Sequence, residues 1–235
     1  MTKRLLLVFI TAFLLAACSA SPKSNAAGPD PQATLQQPVA SANTQPAPSL
    51  SPDEVYQAVK TAWNKLDSAG PRHISQTTSQ GGVVGISTEA EAVPPDFHQV
   101  VSANGTLVAE QYIVGGTIYS NEQGAWTQTA GGSAALSTIG NFSQSLSGDL
   151  VYSNGMVNGT EVINGSPAIV YSYSTTLKGL NASAQYKLWV DQTSGLPVKS
   201  ENITADGSTI DMTIKYDPSI TISLPVEAKN APPSQ

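Results

Sequence analysis

From Arg72 to Tyr216 the sequence is a run of short segments with a period of two, cut by turn dipeptides, and this restricts the chain to an antiparallel β architecture. The last segment shows the pattern best. Ile210, Met212, Ile214 and Tyr216 alternate with Asp211, Thr213 and Lys215, giving one apolar and one wet face. Upstream, residues 73–79, 83–90, 97–103 and 106–114 read as strands separated by Gly81-Gly82, Pro94-Pro95 and the hairpin dipeptide Asn104-Gly105. Residues 117–120 and 125–129 form a further hairpin. Residues 151–152, 160–163 and 168–174 follow, the last two joined by a turn at Asn164-Gly165. Residues 184–190, 196–203 and 209–216 close the pattern as a meander, and Ile220, Ile222 and Leu224 repeat the alternation once more.

Two stretches follow a different period. Ser51-Pro52-Asp53-Glu54 is a helix start, with Ser51 as N-cap, Pro52 at the first helical position and Glu54 closing a capping box. Val55, Val59, Ala62, Trp63 and Leu66 then fall on one helical face until Gly70-Pro71 stops the helix. Between the two meanders, Leu136, Ile139, Phe142, Leu146 and Leu150 recur at spacings of three and four, which predicts a second helix over 133–150.

The N-terminus has a separate logic. Lys3 and Arg4 precede an apolar run over 5–15, too short to span a bilayer permanently, and Ala16-Ala17 leads into Cys18. This is the order of a secretory signal, and Leu15-Ala16-Ala17-Cys18 resembles the lipobox of bacterial lipoproteins. The resemblance implies cleavage after residue 17, diacylglycerol on the Cys18 sulfur and an acyl chain, such as palmitate, on the new amino terminus. Two or more chains hold a protein stably on a membrane. Residues 19–50 are rich in Ser, Ala, Pro, Gln and Asn, cannot bury enough surface to fold, and read as a tether of roughly 30 Å root-mean-square span. The organisation expected is therefore signal peptide 1–17, lipidated cysteine and disordered tether 18–50, a single domain 51–227 and a polar tail 228–235.

Cys18 is the only cysteine, so the domain has no internal disulfide and depends on its core. Loss of residues 1–17 leaves nine basic against seventeen acidic residues, a net charge of −8, with Arg72 the only arginine. Without a basic face, no nucleic-acid partner is expected. His73 and His98 have no cysteine or acidic residue at metal-ligand spacing and read as surface or edge residues. Glu89 and Glu91 share a strand face and read as a solvated edge. No nucleophile elbow, phosphate loop or dinucleotide fingerprint occurs, so neither a catalytic site nor a metal nor a bound cofactor is expected.

Several segments resemble the LolA/LolB-like lipoprotein-carrier fold, especially the LppX/LprG type of bacterial lipid-binding lipoproteins. Residues 110–119 followed by Gly124-Ala125-Trp126 are similar to that family's strand, glycine, tyrosine and tryptophan hairpin. Residues 162–168 resemble its glycine turn before a strand. Leu188-Trp189-Val190-Asp191 with Ser194-Gly195-Leu196-Pro197-Val198-Lys199 resembles its tryptophan, aspartate, glycine-leucine-proline hairpin. The resemblance covers about residues 52–226. It implies an α+β fold, a strongly curved antiparallel half-barrel with helices on its concave face and an apolar cavity between them. Candidate lining residues are Trp63, Leu107, Ile169, Tyr171, Leu188, Val190, Ile210, Met212 and Ile214.

The function this implies is non-enzymatic. The chain is expected to be an extracytoplasmic, monomeric lipoprotein, anchored to a bacterial cell membrane by Cys18, that binds or transfers a lipid or acylated ligand. The alternative is an envelope-stress sensor or a scaffold that binds a protein partner with the same fold. An open cavity of several hundred cubic ångströms favours the carrier. A filled core with an exposed apolar patch favours the partner readings.

Overall fold

The computed structural model describes residues 48–122, 124–130, 150–177 and 183–234. These lie in one compact unit, Ser41–Gln235. The elements are α1 (Pro52–Asp67), β1 (Arg72–Gln80), β2 (Val83–Val93), β3 (Asp96–Ala103), β4 (Thr106–Val114), β5 (Thr117–Glu122), β6 (Ala125–Ala130), β7 (Leu150–Ile163), β8 (Ser166–Leu177), β9 (Ser183–Asp191), β10 (Pro197–Thr204), β11 (Thr209–Tyr216) and a last helical turn, α2 (Val226–Lys229). The signal, Cys18 and nearly all of the tether fall outside the described residues. So does the helix expected over 133–150, except that Leu150 opens β7.

All the strands join one antiparallel sheet in the order β6-β5-β4-β3-β2-β1-β11-β10-β9-β8-β7. Two meanders are thus sewn together at the middle, where β1 pairs with β11 from Arg72↔Tyr216 to Ser79↔Thr209. The sheet is open, and β6 and β7 are its edges. Among the described residues no helix is long and apolar enough to cross a membrane.

Helix α1 begins as its sequence dictates. The Ser51 hydroxyl accepts from the Glu54 amide, and the Glu54 carboxylate accepts from the Ser51 amide at 2.8 Å. The amphipathic stripe is buried in full: Val55, Val59, Ala62, Trp63 and Leu66 all pack against the sheet. After the helix, the Arg72 guanidinium donates to the Ala69 and Gly70 carbonyls and fixes the entry into β1.

The segments expected at 151–152 and 160–163 are one strand, β7, whose register against β8 shifts twice. Asn154 (φ 55°) and Gly159 (φ 104°) sit at these shifts. Asn-Gly pairs carry turn chemistry, and here they make bulges that bend an edge strand past α1. The alternation at Ile220, Ile222 and Leu224 makes no strand; these residues are half-buried ahead of α2. The segment expected as a polar tail is docked. Ala228 and Ala231 are buried, the Pro232 carbonyl accepts from the Gln128 amide, and the Ser234 amide donates to the Gln128 carbonyl, so the chain end covers the β6 edge.

Candidate functional site

The register sorts the strand side chains into two faces. On one, α1 packs through its apolar stripe on Tyr171 and Tyr173 of β8, Leu188 and Val190 of β9, and Met212 and Ile214 of β11. Six of the residues expected to line a cavity (Trp63, Tyr171, Leu188, Val190, Met212 and Ile214) thus meet in one cluster, and Ile169 packs at its margin. Ile210 lies on the same face, half-buried, two residues before Met212. Ile74 on β1 touches this cluster and a second one, Ala90, Ala92, Phe97 and Ile113 on β2–β4, so the apolar layer is continuous from β8 to β4.

Leu107 is the exception. Simple alternation from Ala109 would turn it towards α1, but the β3–β4 register shifts after Val101 and pairs Leu107 with Ser102, on the opposite face. It is 56% exposed near the β3–β4 turn. A one-residue bulge reverses the face of everything beyond it.

The layer has a polar, aromatic margin that sequence reasoning missed. Tyr56 of α1 lies tilted against Tyr152 of β7 at 4.1 Å between ring centroids, Tyr152 lies 5.9 Å from Tyr173, and Tyr173 stacks in parallel on Tyr186 at 5.0 Å. This ladder runs from the helix across three strands. Between the first turn of α1 and β7 it walls an opening of about 300 Å³, lined also by Pro52, Asp53, Ser153 and Gly155. Its inner wall, Tyr173, belongs to the core cluster. Burial pushes the phenols of Tyr152 and Tyr173 far up, the latter against a hydrogen bond from Trp63 that acts the other way. Among the described residues, two buried polar atoms on this face, the Tyr152 hydroxyl and Asn202 Oδ1, find no hydrogen-bond partner. Tyr171 and Tyr173, two residues apart, signal a shared face in the sequence; the Tyr56–Tyr152 contact depends on register and helix placement, which no spacing reveals.

The opposite face is charged. His73 Nε2 lies 2.9 Å from Glu89, which also accepts from the Ser75 hydroxyl. His98 sits between Glu91 and Glu110, its Nε2 3.1 Å from the latter, and stacks on Tyr112 at 4.1 Å. Burial, with a hydrogen bond to Glu110, pushes the Tyr112 phenol up to about 12. The histidines and glutamates are therefore not on an edge: they are cross-strand ties over β1–β4, in the interior of the sheet. Among the described residues no group of three or more His, Cys, Asp or Glu side chains could hold a metal ion.

No protein-family model matches the sequence, and no curated protein matches it. Among solved structures the chain is similar to the lipoprotein LppX of Mycobacterium tuberculosis, at 17% identity and a TM-score of 0.52, over 70% of this chain and 95% of that one. It is similar also to LprF of Mycobacterium bovis, at 16% identity and a TM-score of 0.53, over 77% of this chain and all of that one. The chain has the LppX-like fold. At these identities it is the fold that is shared. The segments that carried the resemblance in the sequence make the β4–β5–β6, β7–β8 and β9–β10 hairpins of this LppX-like sheet.

Proposed function

We propose that this chain is an exported, non-enzymatic lipoprotein, held to a bacterial cell membrane through an acylated Cys18, whose domain binds a lipid or other amphiphile between α1 and the sheet. In this reading the sheet curves as a half-barrel with α1 on its concave side. The observation that supports it most is the apolar layer beneath α1, with the tyrosine-walled opening of about 300 Å³ at its margin. That volume is at the lower end for small-molecule sites. Apolar depth with the Tyr152 hydroxyl unpartnered at the rim suits an amphiphile better than a plain hydrocarbon, because a buried hydroxyl without a partner costs about 1–3 kcal/mol that a ligand headgroup can recover.

Native mass spectrometry of residues 48–235, purified from a bacterial host, tests this. Co-purified phospholipid or acylated species are the expected result, and their masses identify the ligand. A bare protein mass that stays unchanged after incubation with liposomes would overturn the carrier reading.

A further inference from the structure

Of the ten exposed large apolar side chains among the described residues, five lie on two hairpins: Val83, Val84, Ile86, Leu107 and Val108, at 42–70% exposure. The hairpins are neighbours. Ile86 pairs with Ala103, and the Asn104 amide donates to the Gly85 carbonyl, so the two turns lie side by side at one end of the sheet. The register shifts in both hairpins distribute these side chains over both faces: Val83 and Ile86 on the α1 side, Val84 and Leu107 on the other. Large apolar side chains thus stand exposed on both faces of the tip, among neutral polar ones such as Gln80, Ser79 and Ser102.

The tip is also free of charge. No Asp, Glu, Lys, Arg or His occurs in residues 74–88 or 99–109, although the chain without its signal carries −8. Along β2 the nearest carboxylate, Glu89, is six residues from Val83, about 20 Å of strand, and along β4 Glu110 stands two residues after Val108, at the inner border of the patch. The patch is bounded laterally by Asp206 on the β10–β11 turn and Glu122 at the end of β5. An apolar patch without charge, on an otherwise anionic domain, suits the neutral interfacial region of a bilayer and not a basic or acidic partner. The read tether points the same way. A segment of the composition and length of residues 19–50, expected to span about 30 Å from an acylated Cys18, would keep the domain within reach of the bilayer, where a weak insertion becomes persistent through high effective concentration.

We propose that the tips of the β1–β2 and β3–β4 hairpins are a membrane-docking surface, inserting Val83, Val84, Ile86, Leu107 and Val108 into the interfacial region of a phospholipid bilayer. This is independent of whether a ligand occupies the layer under α1. To test it, residues 48–235, which lack cysteine, carry an N-terminal histidine tag held on phosphatidylcholine vesicles by a nickel-chelating lipid in place of the anchor. Single variants Val84→Cys, Leu107→Cys and Asn164→Cys, the last on the β7–β8 turn at the opposite end, are labelled with an environment-sensitive nitrobenzoxadiazole dye. Labels at 84 and 107 are expected to brighten, shift to the blue and be quenched by spin-labelled lipid, while the label at 164 stays water-like. On vesicles without the chelating lipid, the double variant Val84→Asp, Leu107→Asp is expected to bind roughly tenfold more weakly or worse, from the lost burial of two aliphatic side chains. Its melting temperature should not change, because both side chains are exposed. Water-like emission at both 84 and 107 while the domain is held on the vesicle would overturn the proposal and assign the patch to a protein partner. Unchanged binding by the double variant would overturn it equally.

Discussion

Gly155 lets β7 pass close against the first turn of α1, and adding one methyl group there tests the helix placement. A Cβ at this position would lie 2.7 Å from the Pro52 carbonyl oxygen, 3.1 Å from Pro52 Cα and 3.2 Å from Val55 Cβ. Two of these atoms are backbone and cannot rotate away. The first turn of α1 must lift by about 0.7 Å to restore an ordinary contact near 3.4 Å. Overpacking of this kind costs about 1–3 kcal/mol. At this chain size that is roughly 2–12 °C of melting temperature. Gly85→Ala is the matched control: its Cβ would meet only the Thr78 carbonyl, at 3.9 Å. That variant should be neutral, or gain up to about 1 kcal/mol from a stiffer unfolded chain. Denaturant unfolding of residues 48–235 gives both values. The lift would also separate Tyr56 from Tyr152 and widen the opening, so ligand retention in native mass spectrometry should change in Gly155→Ala and not in Gly85→Ala. Equal stability of the two variants would show that α1 does not sit against β7 as described, and the candidate site would have to be rebuilt.

Two further outcomes follow from the same packing. Trp63→Ala removes the largest side chain of the stripe and its hydrogen bond to Tyr173; a loss of about 3–5 kcal/mol is expected in urea unfolding, and a loss under 1 kcal/mol would mean that α1 is only loosely docked. The tyrosines should resist alkali. Because the folded state holds the Tyr112 proton up to about 12, against an ordinary 10, stability from this group is complete below pH 10 and is lost as pH rises towards 12. Spectrophotometric titration should show Tyr112, Tyr152, Tyr173 and Tyr216 ionising late or only with unfolding; ionisation of all tyrosines in one step near pH 10 would refute their burial.

Much of this was legible because the determinants are local. The capping box of α1, the Asn-Gly and Gly-Gly turns, and the alternation of β11 each act within a few residues, and β4 and β11 begin and end where the pattern places them. The same alternation brought Tyr171, Leu188, Val190, Met212 and Ile214 to one face. What failed was whatever depends on register. A single bulge after Val101 moved Leu107 to the other face. The two segments expected at 151–152 and 160–163 are one strand, because Asn154-Gly155 and Asn158-Gly159 make bulges within it. The tyrosine ladder and the His–Glu ties join residues from different strands, and the identity of each partner is a property of the sheet, not of any one segment.

The distribution of charge bears most on function. On the α1 side of the sheet, between Arg72 at one end and Glu122 on β5, the described strand residues carry no charge; its polar groups are neutral, as in the chain from Gln99 to Gln111 to Ser120. The other face holds His73, Glu89, Glu91, His98 and Glu110, besides Lys199, which lies over the Trp189 ring at 4.4 Å and pairs with Glu201 at 2.7 Å. A packed core face excludes charge for stability alone, but here the charge-free stretch runs on over β2–β5, beyond the residues that α1 packs against. Keeping ionised groups off this face between Arg72 and Glu122 matters when it must stay in low dielectric, where an unpaired charge costs far more than a neutral amide. The charge-free hairpin tips carry the same property to one end of the sheet. The two proposals, a layer that takes an amphiphile and an end that meets the bilayer, both require this exclusion of charge, and the sequence provides it in both places while leaving the domain as a whole strongly anionic.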